Sequence, residues 1–395
     1  MFCCGRRADV TRVTWLSSMD ESVEGREDDS WGFTYPTTLA DAIDHFELDK
    51  FKSIRMRRDI EFESRLAAQP DLSKWKPGLL KKACRNGLPS GRRKQVWLTM
   101  LRVQQASQNS SYSDLLANGE IDSKLARVIQ ADLRRTFPAC SHFKDERVLV
   151  KLRNVLFAFA VSHKEVGYCQ GLNFVCGVLL LVLGGVDADE EQLFHAFCQL
   201  IDSGDAGVGL NVRGFFEPKM QLVLSDLASL QRLLERVGAG SMTRRLKQGD
   251  LTTLLCSEWF HAFFSTAFPF TVVVRIWDAL ICEGWKVLFR IAAATIRLVT
   301  APAASVLSEE ELLTHHKRLT RSYVDHEALL HEAFYNLGNV RRSELRNLDN
   351  ITIQTVASSI SQSNMVKLSD ITLEDMNQQQ PPAKDGPVSI INDAT

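Results

Sequence analysis

Apolar residues recur at helical spacing through the middle of the chain. Three runs place them three or four positions apart, which brings each set onto one face of an α-helix. The second run follows Asp187 and Glu190, a pairing typical of a helix start, and the third ends at Gly238 in the manner of a C-cap. The pattern therefore predicts amphipathic helices. The runs are Val148, Leu152, Val155 and Phe159; Leu193, Phe194, Phe197, Leu200 and Ile201; and Val223, Leu227, Leu230, Leu234 and Val237.

Strand signals are few by comparison. The best of them is the β-branched run over residues 271–274. Because that run follows Pro269 and continues into Arg275-Ile276-Trp277-Asp278, a helix that opens at Thr271 is the better interpretation. Proline is absent between residues 138 and 218 and between residues 302 and 381, which also suits helices. The sequence predicts an all-α domain.

The chain divides into three parts by composition. Residues 1–77 are charged and irregular, and we expect a partly disordered N-terminal extension with short helices around residues 39–66. Residues 78–345 carry the helical pattern and form the predicted folded domain. Residues 346–395 are rich in Ser, Gln, Asn and Asp, so they cannot bury enough apolar surface to offset their ordering entropy. We expect that tail to be disordered.

Composition and charge narrow the classes of protein. Hydrophobic residues make up 45% of the 395-residue chain and charged residues 24%, the usual balance of a globular protein with a sizeable core. Lys plus Arg number 47 against 48 Asp plus Glu, for a net charge of −1. This balance gives no argument for a nucleic-acid partner. The apolar run over residues 174–183 stops at Gly184 and is too short to span a bilayer.

Cysteine and histidine spacing argues against a metal centre. The nine cysteines contain no CxxC pair, so we expect a reducing, cytoplasmic compartment and neither disulfides nor a structural metal. His326 and His331 lie five positions apart instead of the four of a zinc-protease helix, and we interpret them as solvated helix residues. Cys3 and Cys4, close to two arginines, could carry palmitoyl groups for peripheral membrane association, with an untethered N-terminus as the simpler alternative.

Three short motifs remain that the helical pattern does not explain. In the first, Arg93 and Trp97 are four residues apart on one helical face. The second places Ile129, Asp132 and Arg135 three apart on one helical side, in a run ended by Pro138. In the third, Tyr168 and Gln170 lie between Gly167 and Gly171. Taken singly, each has an ordinary explanation: cation–π stacking, a helix ion pair and a capped turn.

Together and in this order, the motifs resemble the signature of the TBC domain, the Rab GTPase-activating module. That family carries R-x-x-x-W, I-x-x-D-x-x-R and Y-x-Q, which match the three motifs here. Later segments, above all Arg275-Ile276-Trp277-Asp278, look like the family's later helices, so the resemblance covers about residues 78–300, with an expected extension to 345. Within the family, the growth-hormone-regulated TBC proteins look nearest, from the single-domain layout and the stretch Trp31-Gly32-Phe33.

The resemblance implies an all-α fold and a dual-finger mechanism. Arg135 would be the arginine finger and Gln170 the glutamine finger, both inserted into a GTP-bound Rab in trans to regulate vesicle traffic. GTP and Mg²⁺ would belong to the Rab, with no cofactor of the chain's own and no independent reaction. Alternatives are a non-catalytic Rab-binding scaffold that uses the same groove and a helical protein unrelated to GTPases. The implied supporting residues are Asp132, Arg93, Trp97, Tyr168 and Ile129.

Overall fold

The computed structural model describes most of the chain between residues 25 and 345. The described residues are 25–27, 31–106, 111–201, 216, 221–237, 251–301, 308–340 and 345. The predictions made for Cys3 and Cys4, for the C-cap at Gly238 and for the tail at 346–395 lie outside them.

Helices dominate the described residues, and the expected all-α domain is confirmed. A short antiparallel pair precedes them, in which β1 (Gly25–Glu27) pairs with β2 (Thr34–Pro36). π-Helical turns at His45–Phe51, Ile296–Thr300 and Glu332–Asn336 extend three of the helices. The helices are α1 (Thr37–Asp44), α2 (Lys52–Ala68), α3 (Pro77–Asn86), α4 (Ser90–Met100), α5 (Val103–Ala106), α6 (Tyr112–Asn118), α7 (Ser123–Leu133), α8 (Glu146–Ser162), α9 (Leu172–Leu183), α10 (Glu190–Ile201), α11 (Gln221–Arg236), α12 (Leu251–His261), α13 (Phe270–Glu283), α14 (Lys286–Thr295), α15 (Glu309–Arg321) and α16 (His326–His331).

The apolar helix α9 lies at the centre of the core. It packs against α8 and α10, and all of its residues except the partly exposed Phe174 are buried. Gly184, with φ of 130°, ends the helix after 12 residues, whereas about 20 are needed to span a bilayer. In the part of the chain that is described, no helix has the length and apolarity to cross a membrane. The predicted apolar face of α8 is fully buried against this core.

Two predicted helix starts can be compared with the structure. Helix α13 begins at Phe270 directly after Pro269, which confirms that residues 271–274 are helical rather than extended. Helix α10 begins at Glu190, and Asp189 caps it by accepting the Gln192 N–H at 2.8 Å. The helix start expected at Asp187 and Glu190 is therefore right for Glu190 but not for Asp187, which belongs to the preceding 3₁₀ turn.

The segment before residue 78 contributes to the main core. Phe33, Phe62 and Trp75 are all buried within it. A smaller apolar cluster joins residues of α1 and the following turn, Phe51 among them, to Val324 near the C-terminal helices. The boundary predicted at residue 78 therefore falls inside the packed region, because aromatic side chains on both sides of it share one core.

His326 and Glu327 of α16 are structural residues that the N-terminal segment covers. His326 is 1% exposed, and its Nε2 lies 2.9 Å from Oε1 of Glu47. Glu327 accepts hydrogen bonds from Arg58 and Arg275. Burial alone would raise the pKa of Glu327, but hydrogen bonds from His326 and Arg58, together with the Arg275 charge, hold it well below its ordinary value. The interpretation of His326 as a solvated residue is wrong.

Candidate functional site

Arg135 lies on a turn just beyond the end of α7, with its side chain exposed. The helix ends at Leu133, and the Arg135 N–H donates to the Asp132 carbonyl at 3.1 Å to close the turn. Ile129 and Asp132 are buried in the helix. The prediction of one continuous helix that carries all three motif residues and stops at Pro138 is therefore wrong at its C-terminal end.

Phe137 explains why the helix ends early and what holds the turn. Its φ of 46° is in the left-handed region, which a continuing helix does not allow and which a bulky residue rarely adopts. The buried ring packs against Phe143 and Phe174, with centroids 5.4 and 5.3 Å away. Gly177 of α9 permits this approach, because a Cβ there would lie 3.0 Å from the Phe137 ring. The exposed Arg135 thus stands on a turn that is anchored in the core.

Gln170 is exposed on the loop between α8 and α9. Gly167 and Gly171 flank the motif with φ of 60° and 113°, a backbone conformation that L side chains rarely adopt. A Cβ at Gly171 would lie 3.0 Å from the carbonyl oxygen of His261, so the loop packs closely against the end of α12. Gly171 is also the residue that precedes α9. The loop that carries Gln170 is therefore held at its C-terminal side by buried structure.

A hydrogen bond joins the glutamine loop to the end of α7. The Tyr168 hydroxyl donates to Oδ2 of Asp132 at 2.8 Å. Burial raises the pKa of Asp132, while the hydrogen bond from Tyr168 and the charge of Arg135 oppose that rise. Burial and the neighbouring carboxylate raise the pKa of Tyr168 far above its ordinary value, so the phenol keeps its proton and remains a donor.

A second set of hydrogen bonds links the same two segments from inside. The Thr136 hydroxyl donates to the Asp132 carbonyl at 2.8 Å, and Nδ2 of Asn173 donates to that hydroxyl at 2.9 Å. Oδ1 of Asn173 in turn accepts the Gly171 N–H at 3.1 Å. Sequence reasoning missed both Thr136 and Asn173. The available signal was an amide in the first turn of a very apolar helix, because a buried amide needs partners.

Arg93 and Trp97 lie in a different buried cluster, which is centred on Asp278 of α13. Nε and Nη2 of Arg93 donate to the two Asp278 carboxylate oxygens at 2.9 and 3.2 Å, and Nε1 of Trp97 donates at 2.9 Å. The Leu88 N–H adds a further bond at 3.0 Å. These contacts join α4 to α13. The sequence motif R-x-x-x-W therefore supplies three N–H donors from two side chains to one buried carboxylate rather than a stacked cation and ring.

The structure joins the segments of Arg135 and Gln170 into one surface site. A guanidinium offers a rigid fork of donors, and a primary amide both donates and accepts, so the pair suits oxygen-rich anionic groups brought by a second molecule. Within the described ranges, no group of three or more His, Cys, Asp or Glu side chains could hold a metal ion. Of the remaining predicted site residues, Asp132 and Tyr168 lie in this site, Arg93 and Trp97 in the Asp278 cluster, and Ile129 in the core.

The structure is an all-α domain in which two joined segments carry an exposed arginine and an exposed glutamine. These features are the ones that the resemblance of the three motifs to the TBC domain implies. The family model of the Rab-GTPase-TBC domain matches residues 90–301. Growth hormone-regulated TBC protein 1 of Xenopus tropicalis is 30% identical over 313 residues, 77% of this chain and 88% of that protein. The Homo sapiens protein of the same name is 31% identical over 299 residues, 74% of this chain and 84% of that protein.

Solved structures agree on the fold. The Chlamydomonas flagellar RabGAP TBC domain gives a TM-score of 0.63 at 22% identity, covering 79% of this chain and 100% of that one. The Ypt/Rab-GAP domain of Gyp1p gives a TM-score of 0.58 at 18% identity, covering 71% and 97%. The chain belongs to the TBC-domain family of Rab GTPase-activating proteins, and the sequence-based resemblance is confirmed.

Proposed function

We propose that this protein accelerates GTP hydrolysis by a Rab-family GTPase and has no independent reaction of its own. The GTP-bound Rab supplies the nucleotide and Mg²⁺, and this chain supplies Arg135 and Gln170 in trans without a cofactor. Its family membership supports a Rab partner, and its proposed setting is the cytoplasmic face of trafficking membranes. It reaches that setting through the Rab, with lipidation of Cys3 or Cys4 as an additional contact.

Each finger has a distinct chemical task. Hydrolysis needs a water held in line with the γ-phosphate and neutralisation of charge on the phosphoryl oxygens. The Gln170 amide accepts from the water and donates to a phosphate oxygen, which positions the nucleophile. The Arg135 guanidinium stays protonated and directs its forked donors at the developing charge. Arginine fingers contribute about 10³–10⁵ in rate to small GTPases and G proteins, which are the established examples.

The supporting residues act through structure rather than on the nucleotide. The turn that carries Arg135 and the loop that carries Gln170 are the two finger segments. Asp132 and Tyr168 hold them together through their hydrogen bond. Arg93 and Trp97 keep α4 and α13 in place through Asp278. Ile129 packs α7, the helix that precedes the Arg135 turn, into the core.

The observation that carries the proposal is the exposure of both Arg135 and Gln170 on two segments that hydrogen bonds from Tyr168 and Asn173 join to each other. A side chain kept for packing would be buried. These two are instead presented outward from a rigid base, as a group that enters a partner's active site must be.

The direct test measures GTP hydrolysis by a panel of Rab proteins with the full chain and its variants. We expect stimulation of one or a few Rabs, reduced by about 10³-fold or more in Arg135→Ala and strongly in Gln170→Ala. Arg134→Ala is the matched control, because Arg134 is also exposed and only one position away. Gln130→Ala removes an exposed glutamine from α7 in the same way. Both controls should retain most of the stimulation.

Two outcomes would contradict the proposal. Rab binding without faster hydrolysis would indicate a non-catalytic scaffold that uses the same surface. Equal losses in Arg134→Ala and Arg135→Ala would show that positive charge on the turn, rather than one placed guanidinium, supports the activity.

A further inference from the structure

The two finger segments share one buried amide. Asn173 is 1% exposed and uses both ends of its side chain, with Nδ2 donating to Thr136 and Oδ1 accepting from the Gly171 N–H. Thr136 directly follows Arg135, and Gly171 directly follows Gln170. One amide group therefore bridges the residues next to the two exposed side chains.

The connection to the arginine turn continues through the Thr136 hydroxyl. Thr136 is 1% exposed, and its oxygen donates to the Asp132 carbonyl at 2.8 Å while it accepts from Asn173 at 2.9 Å. Its methyl group faces α9, where a Cβ at Gly177 would lie 3.2 Å from Cγ2. The Thr136 hydroxyl and the Asn173 amide bond to each other, to the Asp132 carbonyl and to the Gly171 N–H. A shift of either segment would therefore leave one of these polar groups unpaired.

The bridge is a second connection between the two segments, beside the hydrogen bond from Tyr168 to the Asp132 carboxylate. That bond joins two side chains that precede Arg135 and Gln170, whereas Asn173 joins the Thr136 hydroxyl and the Gly171 N–H, which follow them. Both connections end at Asp132, but they begin at Tyr168 and at Gly171, on the two sides of Gln170, and together they limit rotation of one segment relative to the other. A single attachment would leave a hinge.

We propose that Asn173 is a positioning residue that sets the spacing between Arg135 and Gln170 through Thr136 and Gly171. The proposal rests on the finger roles given under Proposed function. Asn173 is buried beneath the two exposed side chains. It acts by holding two groups that must reach one γ-phosphate at the same moment, where a displacement of about 1 Å can cost on the order of 10²-fold in rate.

The sharpest test changes the hydroxyl of Thr136 and leaves Asn173 in place. Thr136→Val keeps the branched shape and removes the oxygen, whereas Thr136→Ser keeps the oxygen and removes the methyl group. Thr99→Val is the matched control, because the exposed Thr99 also donates to the carbonyl four residues earlier, at 2.9 Å. Each full-length variant is assayed on a responsive Rab across Rab concentrations, with its melting temperature and its backbone hydrogen exchange.

We expect Thr136→Val to lower kcat by about 10- to 100-fold with KM within about twofold, because a small misplacement affects the transition state more than binding. Thr136→Ser should restore most of kcat, and Thr99→Val should behave as wild type. Asn173→Leu should repeat the kcat loss of Thr136→Val. In both damaging variants, the Gly171 N–H should exchange faster than in wild type.

Several results would overturn the positioning role. Wild-type kcat in Thr136→Val would do so, and so would equal losses in the Val and Ser variants that follow their melting temperatures. If the wild-type chain stimulates no Rab, the proposed function fails, and hydrogen exchange then decides this inference alone. Faster exchange at Gly171 in Thr136→Val but not in Thr136→Ser would support the bridge, and unchanged exchange in both would refute it.

Discussion

Arg135 differs from its neighbour Arg134 in its surroundings rather than in exposure. Both side chains are exposed on the same turn, but the charge of Arg135 acts on the buried Asp132 and opposes the rise of its pKa. The Tyr168 hydroxyl occupies one oxygen of that carboxylate. The residue pattern I-x-x-D-x-x-R thus brings the charge of one of two adjacent arginines close enough to act on a buried carboxylate.

Replacement of Arg135 by lysine should be nearly as damaging as replacement by alanine. An ammonium is a compact point charge and cannot reproduce the planar fork that contacts two oxygens at once. We expect Arg135→Lys to retain less than about one-hundredth of the wild-type stimulation of a responsive Rab. The check is single-turnover GTP hydrolysis with Arg134→Lys as the control. Near wild-type stimulation by Arg135→Lys would show that charge alone suffices.

At the residue scale, the sequence identifies side chains better than their partners. The types and spacing of Arg135 and Gln170 are visible in the chain, since they stand within short motifs. The partners that hold them are distant, with Tyr168 bonded to Asp132 across 36 positions and Asn173 to Thr136 across 37. Hydrogen bonds of that kind follow from tertiary packing, which a local pattern does not record.

Helix interiors followed the apolar pattern, whereas the end of α7 did not. The spacing of apolar residues located α8, α10 and α11 correctly. The end of α7 was misplaced because its cause is a buried aromatic ring, Phe137, that packs on α9 and draws the backbone into a left-handed turn. Local propensity would let the helix continue to Pro138. The packing of Phe137 on α9 prevails over this propensity and ends the helix earlier. The early end leaves Arg135 exposed on a turn.

The attachment of α13 to α4 depends on one buried carboxylate. Asp278 is fully buried and accepts from Arg93, Trp97 and the Leu88 N–H. This aspartate stands in the segment Arg275-Ile276-Trp277-Asp278, and its sequence context does not indicate its role. A carboxylate at a fully buried position needs partners, and those partners lie 181 to 190 positions away.

Asp278→Ala should therefore lower the free energy of unfolding of the full chain by about 3–5 kcal/mol, because Arg93 would stay buried without its anion. Chemical denaturation measures this difference. Glu63→Gln is the control: it removes the partner of Arg92 in an exposed pair between α2 and α4 and should change stability little. Similar changes in the two variants would show that Arg93 reaches water when its partner is lost.

At the scale of the whole molecule, the N-terminal segment is part of the folded body. Phe33 stacks on Phe270 of α13 with ring centroids 4.9 Å apart, and the Tyr35 hydroxyl accepts the Phe270 N–H at 3.0 Å. Further along, Arg58 of α2 donates to Glu327 of α16. Composition placed the boundary at residue 78 because the preceding residues are highly charged. Several of their apolar residues, Phe33, Phe62 and Trp75 among them, are nevertheless buried in the main core.

A chain that begins at residue 78 should consequently fold poorly. It would lose the buried side chains of Phe33, Phe62, Leu66, Leu72 and Trp75 from the main core. Each such side chain contributes about 1.5–3 kcal/mol, so together they approach the whole stability of a typical domain, about 5–15 kcal/mol. We expect this fragment to lack a cooperative thermal transition and to bind a hydrophobic dye.

A chain that begins at residue 25 is the matched control, because it retains every one of those side chains and both strands of the N-terminal pair. It should melt near the temperature of the full chain and stimulate the same Rab. If the fragment from residue 78 melted at that temperature too, the shared core would contribute little to stability. The N-terminal segment would then be an accessory rather than a structural part of the activating domain.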